Sequence, residues 1–344
     1  MLKLKPAFFI TLFAVFFSAL ATFIPMGAFQ LARTTEIVRS PTVASAATQQ
    51  SCTWQEYTAD IPYDEVAQIA CHNCYEKQYA ARFYDVLNTT KTVEIDFYDT
   101  KNSNQDGRKN GYWYVRHKQD GSSSGNENNC AGNGNGSSGL QACLEDVVRW
   151  HKDHPGHDVI NVILDKKQDW GDGRQPVDLD SLISFVIPSD TLYRPISLLV
   201  DAASLRDAVS RKPWPKMSEL SGKIILALTG GKDNHHNQTQ SEYVAARGTG
   251  VLFVAPDTDE KGDVTGKPNE FNDTTKNYVV WYNIENGTSK QAELGQLIRS
   301  KNYIARLWDG DKTPCDFASQ CLNFIALHDF TQTCSGEARW KIGP

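Results

Sequence analysis

Short apolar runs alternate along the chain with stretches whose apolar residues recur at helical spacing, and this alternation constrains the fold most strongly. Strands that alternate with amphipathic helices are typical of a parallel α/β sheet. Nine runs are predicted as strands, at residues 67–71, 92–97, 112–115, 159–164, 224–228, 251–254, 278–282, 303–307 and 323–327. Helices are predicted at residues 76–87, 140–153, 179–185, 204–209, 240–247 and 290–300.

We therefore expect a single-domain TIM (β/α)8 barrel. A closed barrel takes eight strands, so either one of the runs 251–254 and 278–282 is peripheral or the barrel is irregular. An open doubly wound sheet is the alternative. That fold would need a glycine-rich turn after the first strand, and His72-Asn73-Cys74-Tyr75 is not one.

The N-terminal residues have the pattern of a secretory signal. Lys3 and Lys5 precede an apolar stretch from 7 to 29, which is followed by a small-residue tract at 43–47. An uncleaved membrane anchor is the alternative, but Pro25 and Gly27 interrupt the run. We predict a signal peptide and leader over residues 1–47, a secreted domain over 48–344, and no transmembrane span in the mature chain.

Charge and cysteine content narrow the class of protein further. The net charge of −6 comes from interspersed acids and bases, which argues against a nucleic-acid partner. Eight cysteines behind a signal peptide indicate disulfides rather than a thiolate metal site. Local pairing is expected for Cys130 with Cys143 and for Cys315 with Cys321. Sequons that permit a glycoprotein begin at Asn88, Asn135, Asn237, Asn272 and Asn286.

Polar side chains end the first four predicted strands. They are His72 and Asn73, Glu94 and Asp96, His117, and Asp165. Glu94 and Asp96 stand at alternate positions and so point to one face. Since active-site residues of a parallel barrel lie at the C-terminal strand ends, we expect this set to meet in one site.

The residue types in this set indicate metal-assisted phosphate-ester chemistry. Three carboxylates and an amide form an all-oxygen set that suits Ca2+ or Mg2+. A divalent cation can polarise a phosphoryl oxygen and lower the pKa of a coordinated hydroxyl. The two histidines could then act as acid and base. Of the remaining histidines, His328, after the last strand, is the one expected as a neighbour of the site.

Four motifs resemble the X-region of phosphoinositide-specific phospholipases C, in particular the secreted calcium-dependent type. They are His72-Asn73-Cys74-Tyr75, Glu94-Ile95-Asp96-Phe97-Tyr98-Asp99, Arg116-His117 and Val162-Ile163-Leu164-Asp165. The resemblance covers most of the chain after residue 66. It implies a distorted TIM barrel that binds Ca2+, with Mg2+ as the alternative, through Asn73, Glu94, Asp96 and Asp165.

The resemblance also implies roles in the reaction. His117 would be the general acid, and His72 would stabilise the pentacoordinate phosphorus. The inositol 2-hydroxyl would attack phosphorus, giving a cyclic phosphodiester and diacylglycerol. The partner is then a phospholipid head group at a membrane surface, met by a monomer.

The residues expected to contact the substrate match the family's pattern in part. Arg306-Leu307-Trp308 resembles the family's arginine and ring-stacking aromatic, and Lys167, on the same face as Asp165, is a candidate phosphate contact. Asp165 stands where the family commonly has glutamate, and Cys74 replaces a serine or threonine. The predicted strand 224–228 lacks the lysines of the eukaryotic enzymes. We therefore do not expect a polyphosphorylated inositol substrate.

Two other functions remain as alternatives. One is a glycerophosphodiesterase-like or sphingomyelinase-D-like enzyme with the same histidine pair and Mg2+, although Asn73 directly after His72 favours the phospholipase C. The other is a non-catalytic secreted glycoprotein with a relic barrel, although the intact histidines and acids argue against it. Since the first and last strands are neighbours in a closed barrel, a Cys74–Cys334 bridge is also expected.

Overall fold

The computed structural model describes residues 52–343 except 57–59, 100–112, 119–127, 133–138, 172–173 and 232–235. The predicted signal peptide and the Asn135 sequon lie outside the described residues. The strands are β1 (Thr53–Gln55), β2 (Val66–Cys71), β3 (Thr92–Asp99), β4 (Trp113–Val115), β5 (Ile160–Lys166), β6 (Ile224–Gly230), β7 (Phe253–Val254), β8 (Trp281–Glu285), β9 (Ile304–Gly310), β10 (Phe324–Leu327) and β11 (Arg339–Gly343).

The helices are α1 (Phe83–Thr89), α2 (Leu140–Asp153), α3 (Pro176–Val186), α4 (Pro195–Leu198), α5 (Leu205–Arg211), α6 (Gln238–Arg247), α7 (Lys261–Thr265) and α8 (Gln291–Arg299). Short 3-10 helices span Tyr63–Glu65, Thr275–Tyr278 and Pro314–Gln320. Of the helices described, none combines the length and the apolar character needed to cross a bilayer.

Eight parallel strands form a nearly closed barrel. They are hydrogen-bonded in the order β7-β6-β5-β3-β2-β10-β9-β8. The ends of this order approach each other where Asp257, after β7, forms an isolated parallel bridge with Asn283 of β8. Every residue of β2 is buried, and β6 is buried over Ile224–Thr229, as expected for strands covered on both faces. The predicted distorted TIM barrel is confirmed.

The predicted strand that lies outside the barrel is neither of the two candidates, 251–254 and 278–282. Both β7 and β8 belong to the barrel, whereas β4 pairs antiparallel with β3, with Phe97 opposite Val115. Parallel neighbours are usually joined by a crossover helix, and the sequence between β3 and β4 is too polar for an amphipathic one. The short antiparallel pair of β1 and β11, beside β2, was missed.

The boundaries of several other elements also differ from the prediction. The strand predicted at 278–282 begins at Trp281, because Thr275–Tyr278 forms a 3-10 helix. The helix predicted from residue 76 begins only at Phe83. In contrast, α2 has the predicted bounds.

All eight cysteines are paired, which confirms the prediction of disulfides. The pairs are Cys52–Cys321, Cys71–Cys74, Cys130–Cys143 and Cys315–Cys334. The prediction for Cys130 and Cys143 is confirmed.

The pairings predicted for Cys315 with Cys321 and for Cys74 with Cys334 are wrong. The 3-10 helix Pro314–Gln320 separates Cys315 from Cys321, and at a rise of about 2 Å per residue it places them roughly 12 Å apart. That separation is too long for a disulfide. Cys74 instead turns back to Cys71, although β2 and β10 are neighbours in the barrel as expected.

The fold buries the asparagine of one of the five sequons. Asn237 is 1% exposed. Its amide donates to the Asp257 carbonyl at 3.0 Å and accepts from the Asp257 backbone N–H at 2.8 Å. A glycan on this side chain is incompatible with the folded barrel.

Candidate active site

A cavity of about 460 Å3 opens at the C-terminal ends of the barrel strands. Eight of the nine predicted site residues line it, namely His72, Asn73, Glu94, His117, Asp165, Lys167, Arg306 and Trp308. The ninth, Asp96, is fully buried beneath the cavity and contacts His117 and Lys167. The structure therefore brings the whole predicted set together.

Three carboxylates form the floor of this cavity. Strands β3 and β5 pair in register, with Asp96 directly opposite Asp165. Glu94 lies two residues before Asp96 and on the same face of β3. One carboxylate oxygen from each residue lies within 4.8 Å of the others, close enough for all three to share one metal ion.

Two cationic side chains partly neutralise these acids. Lys167 Nζ lies 3.0 Å from Asp96 Oδ2 and 2.8 Å from Asp165 Oδ2. Arg306 Nη2 lies 2.9 Å from Glu94 Oε2. Burial, together with the charges of Asp96 and Glu94, raises the pKa of Asp165 to about 6 despite the opposing effect of Lys167.

The donor set fits a hard divalent cation. The Oδ1 atoms of Asp96 and Asp165 are buried and find no hydrogen-bond partner among the described residues. Carboxylate oxygens with unused acceptor capacity, beside the Asn73 amide in the same cavity, are the ligands that Ca2+ prefers. Gly230 keeps the space beside Asp165 open, because a Cβ there would overlap Asp165 Oδ1.

His117 is held by one of the carboxylates. Its Nδ1 lies 3.1 Å from Asp96 Oδ2, and its side chain is 40% exposed. The antiparallel pairing of β4 with β3 places it there, with the Arg116 backbone N–H donating to the Asp96 carbonyl at 3.2 Å. The hydrogen bond to Asp96 raises the pKa of His117 above its usual value, although burial opposes the shift. The geometry favours a protonated imidazole that faces the cavity.

His72 has the opposite environment. Burial lowers its pKa to about 3, and the nearby Arg306 and His328 contribute to the shift. Its Nε2 lies 3.8 Å from Glu94 Oε2. His328 stacks on it with ring centroids 4.4 Å apart, and its place beside the site is as predicted. At neutral pH His72 is therefore a neutral imidazole.

Two of the three predicted substrate-side residues, Arg306 and Trp308, lie together on β9. Arg306 is 1% exposed, and its Nη1 donates to Asn283 Oδ1 at 2.6 Å. Trp308, two residues further along β9, meets His72 edge to face at a centroid distance of 6.4 Å. Lys167 is bound to the acids on the opposite side of the barrel floor, so its ammonium belongs to the carboxylate cluster.

Asp309, Tyr79 and Gly230 are among the site residues that sequence reasoning missed. Asp309 near the C-terminal end of β9 could have been found by the strand-end rule that identified the others. Tyr79, which was predicted to lie in the helix 76–87, instead precedes α1 and stacks on His328 with ring centroids 4.4 Å apart. Gly230 has a positive φ of 86° at the end of β6, which a single sequence does not reveal.

Comparisons with known proteins agree with this geometry. The family profile described as "Phosphoinositide phospholipase C, Ca2+-dependent" matches residues 136–301. A calcium-dependent phosphoinositol-specific phospholipase C from a Gram-negative bacterium, Pseudomonas sp, titled as a myo-inositol complex, is 35% identical with a TM-score of 0.72, and the match covers 81% of this chain and 95% of that one. A second Pseudomonas structure is 33% identical with a TM-score of 0.71, covering 84% of this chain and 96% of the other.

A more distant structure shares the fold alone. It is a calcium-dependent phosphatidylinositol-specific phospholipase C from Streptomyces antibioticus, 23% identical with a TM-score of 0.63 over 78% of this chain and 95% of that one. No curated protein sequence matches this chain significantly.

Proposed function

Because this chain belongs to the calcium-dependent phosphoinositide phospholipase C family and is an enzyme of that type, we propose that it cleaves phosphatidylinositol at the glycerol side of the phosphate. The products are diacylglycerol and a cyclic inositol phosphate. The observation that carries the proposal is the carboxylate cluster of Glu94, Asp96 and Asp165, which lies between two histidines of opposite charge preference.

Calcium would be held by Asn73, Glu94, Asp96 and Asp165. Bound there, it supplies charge that polarises a phosphoryl oxygen and acidifies the attacking hydroxyl. Asp165, shorter by one methylene than the glutamate common in the family, is held against its neighbours by the register of β3 and β5. Mg2+ demands a tighter octahedral arrangement than Ca2+, so we expect Ca2+ to be the better activator.

As the inositol 2-hydroxyl oxygen bonds phosphorus, its proton passes to a carboxylate of the cluster, and the two histidines divide the remaining steps. His117, kept cationic by Asp96, donates its proton to the oxygen of the leaving diacylglycerol. His72 contacts the phosphoryl group as a neutral imidazole and donates one N–H to the charge that develops there. Arg306 supports the same region with a fixed positive charge.

The head group is proposed to lie against Arg306 and Trp308, with Lys167 next to the phosphate. The Pseudomonas relative is titled as a myo-inositol complex, which supports an inositol head group. Strand β6 offers no lysine within Ile224–Gly230. We therefore propose phosphatidylinositol itself, rather than its polyphosphorylated forms, as the substrate.

We propose that residues 1–47 are a signal peptide and leader and that residues 48–344 are a secreted catalytic domain. The four disulfides support this proposal, because such bonds persist in oxidising compartments. Family membership favours the phospholipase C over the glycerophosphodiesterase-like and sphingomyelinase-D-like alternatives, and an enzyme family disfavours a relic barrel.

A comparison of leaving groups tests the histidine roles. With phosphatidylinositol, His117→Ala should lose about 10²–10⁴-fold in rate, the usual contribution of a general acid. With a nitrophenyl ester the leaving group needs little protonation, so His117→Ala should recover most of the loss, whereas His72→Ala should lose rate on both substrates.

His236→Ala is the matched control, since His236 pairs with Glu270 at 3.4 Å and does not line the cavity. Its rates should equal those of the unmodified enzyme. Equal losses for His117→Ala and His72→Ala on both substrates would refute the division of roles.

A further inference from the structure

A second group of metal-ligating side chains lies at the rim of the cavity, on the other side of His72 from the carboxylates. Its members are His72, Asp309 and His328, whose donor atoms all lie within 4.8 Å of one another. They follow or end three adjacent strands, β2, β9 and β10. None of the three is needed to hold the proposed calcium ion.

The geometry leaves a donor atom of His72 unused. Its Nδ1 is buried and has no hydrogen-bond partner among the described residues. Asp309 Oδ1 lies 3.7 Å from it, too far for a direct hydrogen bond. Two ligands that are each about 2.0–2.1 Å from one zinc ion, at a tetrahedral angle, stand roughly 3.4 Å apart. The separation of His72 Nδ1 and Asp309 Oδ1 is therefore close to that of two atoms that bind the same zinc ion.

His328 supplies the third donor from a fixed position. Its ring lies between Tyr79 and His72, with centroids 4.4 Å from each and interplanar angles of 17° and 24°. Asp309 closes the group from the solvent side, where its side chain is 59% exposed and free to adjust to an entering ion. Its φ of 58° is a conformation that aspartate and asparagine tolerate better than most residues.

The donor types of the group also suit a metal. Two imidazoles and one carboxylate are a borderline-soft set that zinc-type dications prefer, in contrast to the all-oxygen calcium set.

We propose that His72, Asp309 and His328 form a transition-metal site of the zinc type at the mouth of the active site, separate from the calcium site. An ion bound there coordinates His72, which keeps this side chain from contacting the phosphoryl group and so inhibits the enzyme. The inhibition rests on the proposed role of His72, whereas the binding does not.

The test uses the full protein with saturating Ca2+ and measures zinc by equilibrium dialysis together with activity. We expect one zinc ion per chain and a parallel loss of phosphatidylinositol cleavage. His328→Phe keeps the ring stack without a donor nitrogen, and Asp309→Asn keeps the backbone conformation without the charge. Each should weaken zinc binding by more than about 10-fold, since even outer-shell changes cost about 10–100-fold.

The control is Asp311→Asn, an exposed aspartate two residues away whose carboxylate bonds Asn286 at 2.7 Å. It should leave zinc binding unchanged. Neither test substitution touches Glu94, Asp96 or Asp165, so an effect on zinc cannot come from loss of a calcium ligand. Co2+ gives a second readout on the unmodified protein, because its visible spectrum reports a low-coordinate site with nitrogen ligands.

Several results would overturn the proposal. They are the absence of zinc binding in saturating Ca2+, binding that is insensitive to both His328→Phe and Asp309→Asn, or a Co2+ spectrum of fully hydrated octahedral ion. Zinc binding that depends on both residues but leaves activity intact would establish the site and contradict the role proposed for His72.

Discussion

Lys167 acts as an internal counter-ion for the carboxylates that are proposed to bind calcium. Although burial opposes its charge, Asp165, Asp96 and Glu94 raise the pKa of Lys167 above its usual value. The ammonium therefore remains charged and stabilises the calcium-free enzyme. Calcium must share these carboxylates with it, so this lysine limits how tightly the ion binds.

Lys167→Met should therefore lower the stability of the calcium-free enzyme and raise its affinity for calcium. Removing one partner of an ion pair costs about 3–5 kcal/mol when the pair is fully buried and about 0–1 kcal/mol when it is exposed. The side chain of Lys167 is 24% exposed. We therefore expect the calcium-free variant to lose about 2 kcal/mol of unfolding free energy. Denaturant unfolding with and without Ca2+ measures this, and Ca2+ should restore more stability in the variant than in the unmodified enzyme.

The control for this substitution is Lys341→Met, which removes a surface pair with Glu65 at 3.4 Å. It should change the unfolding free energy by less than about 1 kcal/mol, with or without Ca2+. An identical calcium response in Lys167→Met and the unmodified enzyme would contradict the counter-ion role.

Asp64, far along the barrel from the site, controls a pH dependence of stability. It is 8% exposed, its Oδ1 has no hydrogen-bond partner among the described residues, and burial raises its pKa to about 6 from an ordinary 3.8. The folded state therefore favours the neutral acid. This contribution is fully present below pH 3.8 and is lost as the pH rises towards 6.

Asp64→Asn should remove this dependence. The variant should gain stability relative to the unmodified protein between about pH 4 and pH 6, reaching up to about 3 kcal/mol, since one pKa unit corresponds to about 1.4 kcal/mol. Chemical unfolding across that pH range measures the difference. A difference that does not change with pH would show that burial of the charge is not its cause.

At the scale of elements, strand ends were the most predictable feature of the chain. Polar residues after continuous apolar runs identified β2, β3 and β5 and the side chains that they deliver to one cavity. The direction of β4 was not predictable from its composition, because a three-residue apolar strand reads the same in either direction. His117 was still placed correctly, because the antiparallel strand returns along β3 to Asp96.

The turn after β2 is the element on which the site depends most closely. The Cys71–Cys74 disulfide closes over His72 and Asn73, and Asn73 has a φ of 58°. A loop this short gives little chain-entropy stabilisation. We infer that the bond mainly holds in place the Asn73 amide, which is proposed to bind calcium.

Replacing both cysteines by serine tests this role. Cys71→Ser/Cys74→Ser should raise the Ca2+ concentration for half-maximal activity by roughly 10-fold, since a misplacement of 1 Å can cost about 10²-fold in rate. The unfolding free energy should change little. Calcium titrations of activity and denaturant unfolding measure the two effects.

The control is Cys130→Ser/Cys143→Ser, which opens a pair separated by 13 residues outside the cavity. That variant should lose about 3 kcal/mol of stability and keep its calcium requirement. The same calcium requirement in Cys71→Ser/Cys74→Ser as in the unmodified enzyme would contradict the positioning role.

At the scale of the whole molecule, the alternation of strands and helices predicted the barrel. The sequence alone did not predict which contacts attach the flanking segments to the barrel. Cys52 bonds Cys321 across 269 residues, and β11 pairs with β2 beside the barrel. Both contacts join segments distant along the chain, where no local pattern marks the partner. Lys167 and Arg306 were predicted at the site, but not as counter-ions, because their pairing with Asp96 and Glu94 joins strands that are distant along the chain.

The central claim is that the carboxylates and the two histidines together make a calcium-dependent phospholipase C. Phosphorus NMR of phosphatidylinositol vesicles incubated with the full enzyme tests it most directly, in Ca2+, in Mg2+ and in excess chelator. We expect a cyclic inositol phosphate resonance with Ca2+, a weaker one with Mg2+ and none with chelator. Full turnover in chelator, or cleavage of glycerophosphodiesters or sphingomyelin in preference to phosphatidylinositol, would contradict the claim.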